Sequence, residues 1–203
     1  MPRPFAEISF TPNVQAAQER YGSRTQISRF QSSGEDGFIG LNETETSFIE
    51  ARDGFYQATV SETGWPYVQF RGGPTGFLKV LDEKTIGYAD FRGNRQYLSV
   101  GNMNGNDRVS MILMDYANRR RLKLWARAEL LHDEDAPEML ERLQLPDYRA
   151  RVERAVVLHV EATDWNCPQH ITPRFTEAEI YEAVTPLRDR VSYLEPRLAE
   201  LGG

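Results

Sequence analysis

At 203 residues, the chain is long enough for one domain with a proper core and too short for two large ones, and 40% hydrophobic with 27% charged residues reads as soluble and globular. A net charge of −6 argues against a nucleic-acid binder, whose partner calls for a basic face. One cysteine, Cys167, excludes an internal disulfide framework or a multi-thiolate metal centre, and the scattered His132, His159 and His170 argue against a histidine metal site.

The N-terminal run MPRPFAEISF lacks the apolar core of a secretory signal, and no apolar run approaches the roughly 20 residues of a membrane span. The expected compartment is the cytoplasm. Thr11-Pro12 reads as an N-cap followed by an N1 proline, and Gly22 as a stop, which predicts a helix from Thr11 to Tyr21. A polar loop through Ser32-Ser33-Gly34-Glu35-Asp36-Gly37 follows. Asn42 with Glu45 three residues on forms a capping pair that opens a helix to about Arg52.

From there the period changes from helical to strand-like. Phe55 to Val60, Trp65 to Arg71, Phe77 to Leu81 and Thr85 to Asp90 are short, aromatic and β-branched runs separated by turn residues. Later strands are predicted over Arg108 to Tyr116, Leu122 to Leu131 and Ala155 to Ala162, with helical patterns at Glu134 to Leu143 and Thr176 to Ala183. Closely spaced strands with tight turns predict an antiparallel barrel, mainly β with flanking helices. No strand leads into a glycine-rich dinucleotide fingerprint. Thr185-Pro186 reads as a further helix start, with Leu187, Val191, Leu194, Leu198 and Leu201 as a coiled-coil-like stripe and a kink at Pro196. That stripe fits either one amphipathic helix packed on its own domain or an inter-subunit coil. The division is an extension over 1–40, a barrel over 41–175 and a helical tail over 176–203.

The densest chemistry lies where a strand ends at Asp90 and drops into Phe91-Arg92-Gly93-Asn94, with Arg95 and Gln96 at the start of a helix-compatible segment. A helix start offers free N–H groups and a positive dipole end, and arginine a planar fork matched to phosphate oxygens. The same residues also suit a charged surface loop before a capped helix. Gly72-Gly73-Pro74 suits close approach of a flat ring or a tight turn. Arg119-Arg120-Arg121-Lys123 reads as a solvated hairpin or as a site for a phosphate or acidic small ligand. His170 is either a proton donor or simply a hydrogen-bonded loop residue; Cys167 reads as packed rather than reactive.

Several segments together resemble the pyridoxamine 5'-phosphate oxidase family of FMN-binding split β-barrels. They are the run from Gly64 to Arg71, the turn Asp82-Glu83-Lys84, the segment from Asp90 to Gln96, the strand from Arg121 to Leu130, and Trp165 followed by Arg174. The resemblance spans about Phe48 to Arg174. It implies noncovalent FMN at the interface of a homodimer, while charge and composition argue against a membrane or nucleic-acid partner and against a metal. Arg95 takes the phosphate-binding position, in a turn that reads Asn94-Arg95-Gln96 where the family has Ser-Arg-Lys. Arg71, Gly72 and Gly73 lie where the family runs a strand edge along the flavin. Lys79 falls on a lysine that faces substrate and flavin, Arg121 on a flavin contact from the partner subunit, and Trp165 and Arg174 on C-terminal flavin contacts. The family's Arg-Leu-His-Asp-Arg run, which grips a phosphorylated substrate, is replaced by Gln169-His170-Ile171-Thr172-Pro173-Arg174. The implied activity is that of an FMN-dependent oxidoreductase acting on another small molecule or electron donor. A genuine pyridoxamine or pyridoxine 5'-phosphate oxidase and a non-catalytic flavin- or haem-binding module are the alternatives.

Overall fold

A computed structural model describes residues 4–32, 40–132, 134, 136–165 and 168–201. They form two compact units, one of Met1–Met114 with Arg121–Cys167 and one of Asp115–Arg120 with Pro168–Gly203. The predicted loop after Ser32 and the reading of Cys167 lie outside the described residues.

The first unit holds a seven-stranded sheet in the order β2-β1-β5-β6-β7-β4-β3. Its strands are β1 (Gly54–Val60), β2 (Pro66–Gly72), β3 (Leu78–Asp82), β4 (Thr85–Phe91), β5 (Arg108–Asp115), β6 (Arg120–Leu131) and β7 (Val152–Trp165). All seven were predicted, within three residues at every end, because short runs of apolar and branched residues bounded by turn formers mark them. β1 pairs antiparallel with β2 and β4 with β7, and the main core cluster draws on both pairs. Phe55 stacks on Phe77 at 5.7 Å, and Tyr88 meets Phe55 edge-on at 5.3 Å. Along β7 the residues from Arg154 to Leu158 are all buried, not every second one. The helix α6 (Pro137–Leu143) explains this, since Leu140 and Leu143 cover Ala89 and Ala155 from the side opposite the main core.

The predicted capping pair forms at α4 (Glu43–Glu50). Asn42 Oδ1 accepts from the Thr44 and Glu45 amides, and Glu45 Oε2 accepts from the Asn42 amide. Before it lie α1 (Pro4–Ser9), α2 (Pro12–Arg20) and α3 (Arg24–Ser32). The α2 prediction matches, with Gly22 at φ 75° as the stop, although the Thr11 side chain makes no capping bond. The helices α1 and α3 were not foreseen. Arg24 ties α3 to α2 through Gln15 Oε1 at 2.9 Å and Gln18 Oε1 at 3.3 Å, a pairing that periodicity within either segment does not signal.

Two helix starts differ from expectation. The segment after Asp90 becomes helical only at Leu98, as α5 (Leu98–Gly105), which leaves Arg95 and Gln96 in the turn. In the second unit a single helix, α7 (Glu177–Leu201), runs through both Pro186 and Pro196. Its start is set by Thr176 and Glu179, each of whose side chains accepts from the other's backbone amide, so Thr185-Pro186 opens nothing. Among the described residues no helix is long and apolar enough to cross a membrane.

Candidate anion-binding cleft

The site grows out of strand parity. Phe55, Gln57 and Thr59 of β1 point into the core, and their register partners Arg71, Gln69 and Tyr67 on β2 therefore share that side of the sheet. These three line a cleft of about 60 Å³ together with Asp90, the turn from Gly93 to Tyr97, the first turn of α5, and Glu153 and Arg154. At about 10–15 Å³ per water, that is room for a few waters or one phosphate group.

Its floor is a buried ion cluster. The Asp90 carboxylate, 4% exposed, accepts from Arg71 Nη1 on one oxygen and from Arg154 Nη1 at 2.6 Å on the other. Arg154 also donates to Glu153 Oε2 at 3.2 Å, and Glu153 Oε1 accepts from the Tyr97 hydroxyl at 3.1 Å. The Nε atoms of Arg71 and Arg154 are buried without a hydrogen-bond partner. Among the lining residues, three arginines face two carboxylates, which leaves one surplus positive charge. That charge belongs to Arg95, which is exposed and has neither a hydrogen-bond nor an ion-pair partner among the described residues.

The turn that carries Arg95 is strained. Arg95 and Tyr97 hold φ at 65° and 54°, in the left-handed region that side-chain-bearing residues seldom occupy. Asn94 supports it by accepting the Gln96 amide at 3.1 Å, and the β4–β7 ladder shifts register between Asp90 and Phe91. Tyr97 then serves as N-cap of α5 without a side-chain capping bond, so the first amides of the helix remain available to the cleft. The helix is fixed from behind by Ser99 Oγ donating to Gln69 at 2.9 Å and Asn102 donating to Thr59 at 2.9 Å. Beneath it Tyr88 donates to Gln57 at 2.8 Å, and burial pushes its hydroxyl well above the ordinary phenol range.

The structure thus gathers Arg71, Asp90, Asn94, Arg95 and Gln96 in one cleft, and not the other candidates. Lys79 is elsewhere: its ammonium donates to the carbonyls of Arg142 at 2.7 Å and Gln144 at 3.2 Å, at the C-terminal end of α6. Gly72 and Gly73 are accounted for by the chain itself, since a Cβ at Gly72 would meet the Phe70 ring at 2.9 Å and one at Gly73 the Phe77 ring at 2.7 Å. Trp165 is held against α4, its indole N–H donating to Glu45 Oε1 at 2.6 Å and its ring edge-on to Phe48 at 4.8 Å. Arg121 lies on β6 on the face opposite the core-lining Leu122 and Leu124, with its Nε buried and unpartnered. In the second unit His170 is exposed at φ 63°, and Arg174 lies 5.1 Å from the centre of the Tyr116 ring.

Sequence reasoning missed Glu153, Arg154, Tyr97 and Ser99. Arg154 did carry a signal, a charge at the head of the apolar run Ala155-Val156-Val157-Leu158, which a buried strand tolerates only opposite a counter-charge.

An antiparallel split barrel with flanking helices and an arginine-lined cleft at its strand-to-helix turn defines the class of protein. The chain belongs to the pyridoxamine 5'-phosphate oxidase family, which it matches over residues 41–166, more than half its length. This bears out the resemblance read from the strand and turn segments. Among solved structures, HupZ of Group A Streptococcus shares the fold at 16% identity and a TM-score of 0.50, covering 66% of this chain and 99% of that one. A protein related to general stress protein 26 from Clostridium acetobutylicum is 18% identical with a TM-score of 0.45, over 68% of this chain and 95% of that one. An FMN-binding protein from Syntrophomonas wolfei is 12% identical with a TM-score of 0.46, over 73% and 97%. No curated protein matches the chain.

Proposed function

We propose that this chain is an FMN-binding flavoprotein and an oxidoreductase, with the flavin phosphate held in the cleft at Arg95. The observation that carries the reading is the guanidinium of Arg95, unpaired among the described residues, beside the uncapped start of α5, a donor set suited to a dianion. Arg71 and Arg154, with buried Nε atoms that lack acceptors, fit the same charge. When bound, FMN supplies two-electron redox chemistry, and the protein sets its position, access and potential.

A cleft of about 60 Å³ suits a phosphate and leaves the isoalloxazine ring outside it. A homodimer with the flavin at its interface solves this. The outer face of β2, β1 and β5 supports it: Tyr56, Val68, Phe70 and Ile112 are exposed there, with Tyr56 opposite both Phe70 and Ile112 in the strand register. Arg121, pointing away from the core, is the cation a second subunit offers to the ring.

The substrate is a small molecule or electron donor other than pyridoxamine phosphate. Lys79 spends its ammonium on the end of α6, and the phosphate-gripping run of the family is absent. Chromatography of heat-released cofactor tests the flavin: recovery of FMN is expected, and FAD alone or no flavin refutes the reading. Anaerobic stopped-flow then tests the substrate. Pyridoxamine phosphate is expected to bleach the flavin slowly or not at all, whereas rapid bleaching with formation of pyridoxal phosphate makes the chain a genuine oxidase of that compound.

A further inference from the structure

The helix α7 carries a feature that the flavin reading leaves unused. Ile180, Val184, Leu187, Val191, Leu194 and Leu198 follow one another at alternating steps of four and three, the heptad spacing of a coiled-coil seam. All six are exposed, from 36% at Leu194 to 67% at Leu187. A lone helix of this length with two internal prolines, each lacking the amide that the preceding turn needs, is not stable in water without burial of its apolar stripe.

The residues also say what covers the stripe. Val184, Val191 and Leu198 fall at heptad position a, and Ile180, Leu187 and Leu194 at d. β-Branched residues at a with leucine at d favour two parallel strands. Pro186 falls at c and Pro196 at f, both off the seam, and a proline bends a helix away from its own side, so a bend at either position curves α7 toward the seam. In parallel register, Arg190 at g faces Glu195 at e of the second copy, twice per dimer. Glu195 has no partner within its own chain among the described residues, and Arg190 makes only a stacking contact with the Tyr193 ring at 5.4 Å.

We propose that α7 pairs with α7 of a second copy of this chain as a parallel two-stranded coiled coil, closed by reciprocal Arg190–Glu195 ion pairs. This does not rest on the flavin reading, and flavin content plays no part in its test. The test is site-specific disulfide formation in the full chain, with Cys167→Ser as the background. Under mild oxidation Leu187→Cys, on the seam, is expected to give a covalent dimer. Asp189→Cys, at the outward f position, is expected to give roughly tenfold less, because disulfides need Cβ atoms about 4 Å apart. Adding Glu195→Arg to Leu187→Cys is expected to lower the yield, and adding Arg190→Glu as well to restore it. If circular dichroism shows that Leu187→Cys has lost helix, Leu194→Cys takes its place as the next d position. Absence of the seam cross-link in a helical protein overturns the proposal, as an antiparallel pair, packing of α7 on its own barrel or another partner all predict. Equal yields at positions 187 and 189 overturn it too.

Discussion

Asp90 on β4 and Arg154 on β7 face each other in the antiparallel register, and Arg154 Nη1 donates to the Asp90 carboxylate at 2.6 Å. The other oxygen of that carboxylate is taken by Arg71 of β2, so one buried aspartate ties together strands that are far apart in the sheet order. It thereby holds two guanidinium groups in the floor of the cleft.

Removing that aspartate leaves two arginines close together, with Glu153 beside Arg154 as their one remaining ion-pair partner among the described residues. Asp90→Ala is expected to destabilise the protein by about 3–5 kcal/mol, the scale of breaking a buried ion pair from one side. Urea denaturation gives the value, and a loss below about 1 kcal/mol shows that water solvates the cluster.

Arg95 is the opposite case, since it is exposed and unpaired among the described residues. Arg95→Ala is expected to weaken FMN binding by about 1.5–3 kcal/mol, the range for hydrogen bonds to charged groups. The melting temperature of the flavin-free protein stays unchanged. Fluorescence titration of FMN measures the first quantity and a thermal melt the second; full affinity in the variant removes Arg95 from the site.

Tyr88 makes stability fall at alkaline pH. Burial holds its hydroxyl well above the ordinary phenol range, and the nearby Asp90 adds to the effect against an opposing pull from Arg71. The unfolded chain ionises at about pH 10 while the folded chain does not, so the unfolded state carries fewer protons there and stability drops as pH rises. Below that pH the contribution is complete. Urea midpoints between about pH 9 and 11 are expected to fall more steeply for the wild type than for Tyr88→Phe, and parallel curves rule this out.

Glu45 joins two parts of the barrel, its carboxylate accepting from the Asn42 amide and from the Trp165 indole. Glu45→Ala is expected to cost about 1–2 kcal/mol, from the lost cap and the freed indole N–H. Glu45→Gln, which retains an acceptor for the indole, is expected to recover part of it. Indistinguishable urea midpoints for the wild type and both variants would falsify the bridge.

Much of the site was legible because it is local. The run from Asp90 to Gln96 joins an aspartate at a strand end, turn formers and an arginine within seven residues, and the structure keeps them around one cleft. The capping pair of Asn42 and Glu45 was readable for the same reason, its hydrogen bonds spanning three residues. Lys79 and Trp165 went otherwise. Their resemblance to family positions carries no information on which carbonyls or carboxylates stand nearby, and here α6 and Glu45 take them. The late start of α5 was hidden because the left-handed conformation of Arg95 and Tyr97 runs against their intrinsic preference, so only the surrounding fold sustains it.

By itself the sequence determined the seven strands, the antiparallel class and the family, because strand alternation and turn residues act over a few neighbours and recur along the chain. The tertiary structure alone decided that Arg154 completes the cluster on Asp90, that Tyr88 is sealed beneath it, and that α7 runs unbroken past two prolines. Asp90 and Arg154 are 64 residues apart, and only the pairing of β4 with β7 brings their charges together. Long-range pairing is selected by packing and charge compensation in the whole fold, and no local spacing records it.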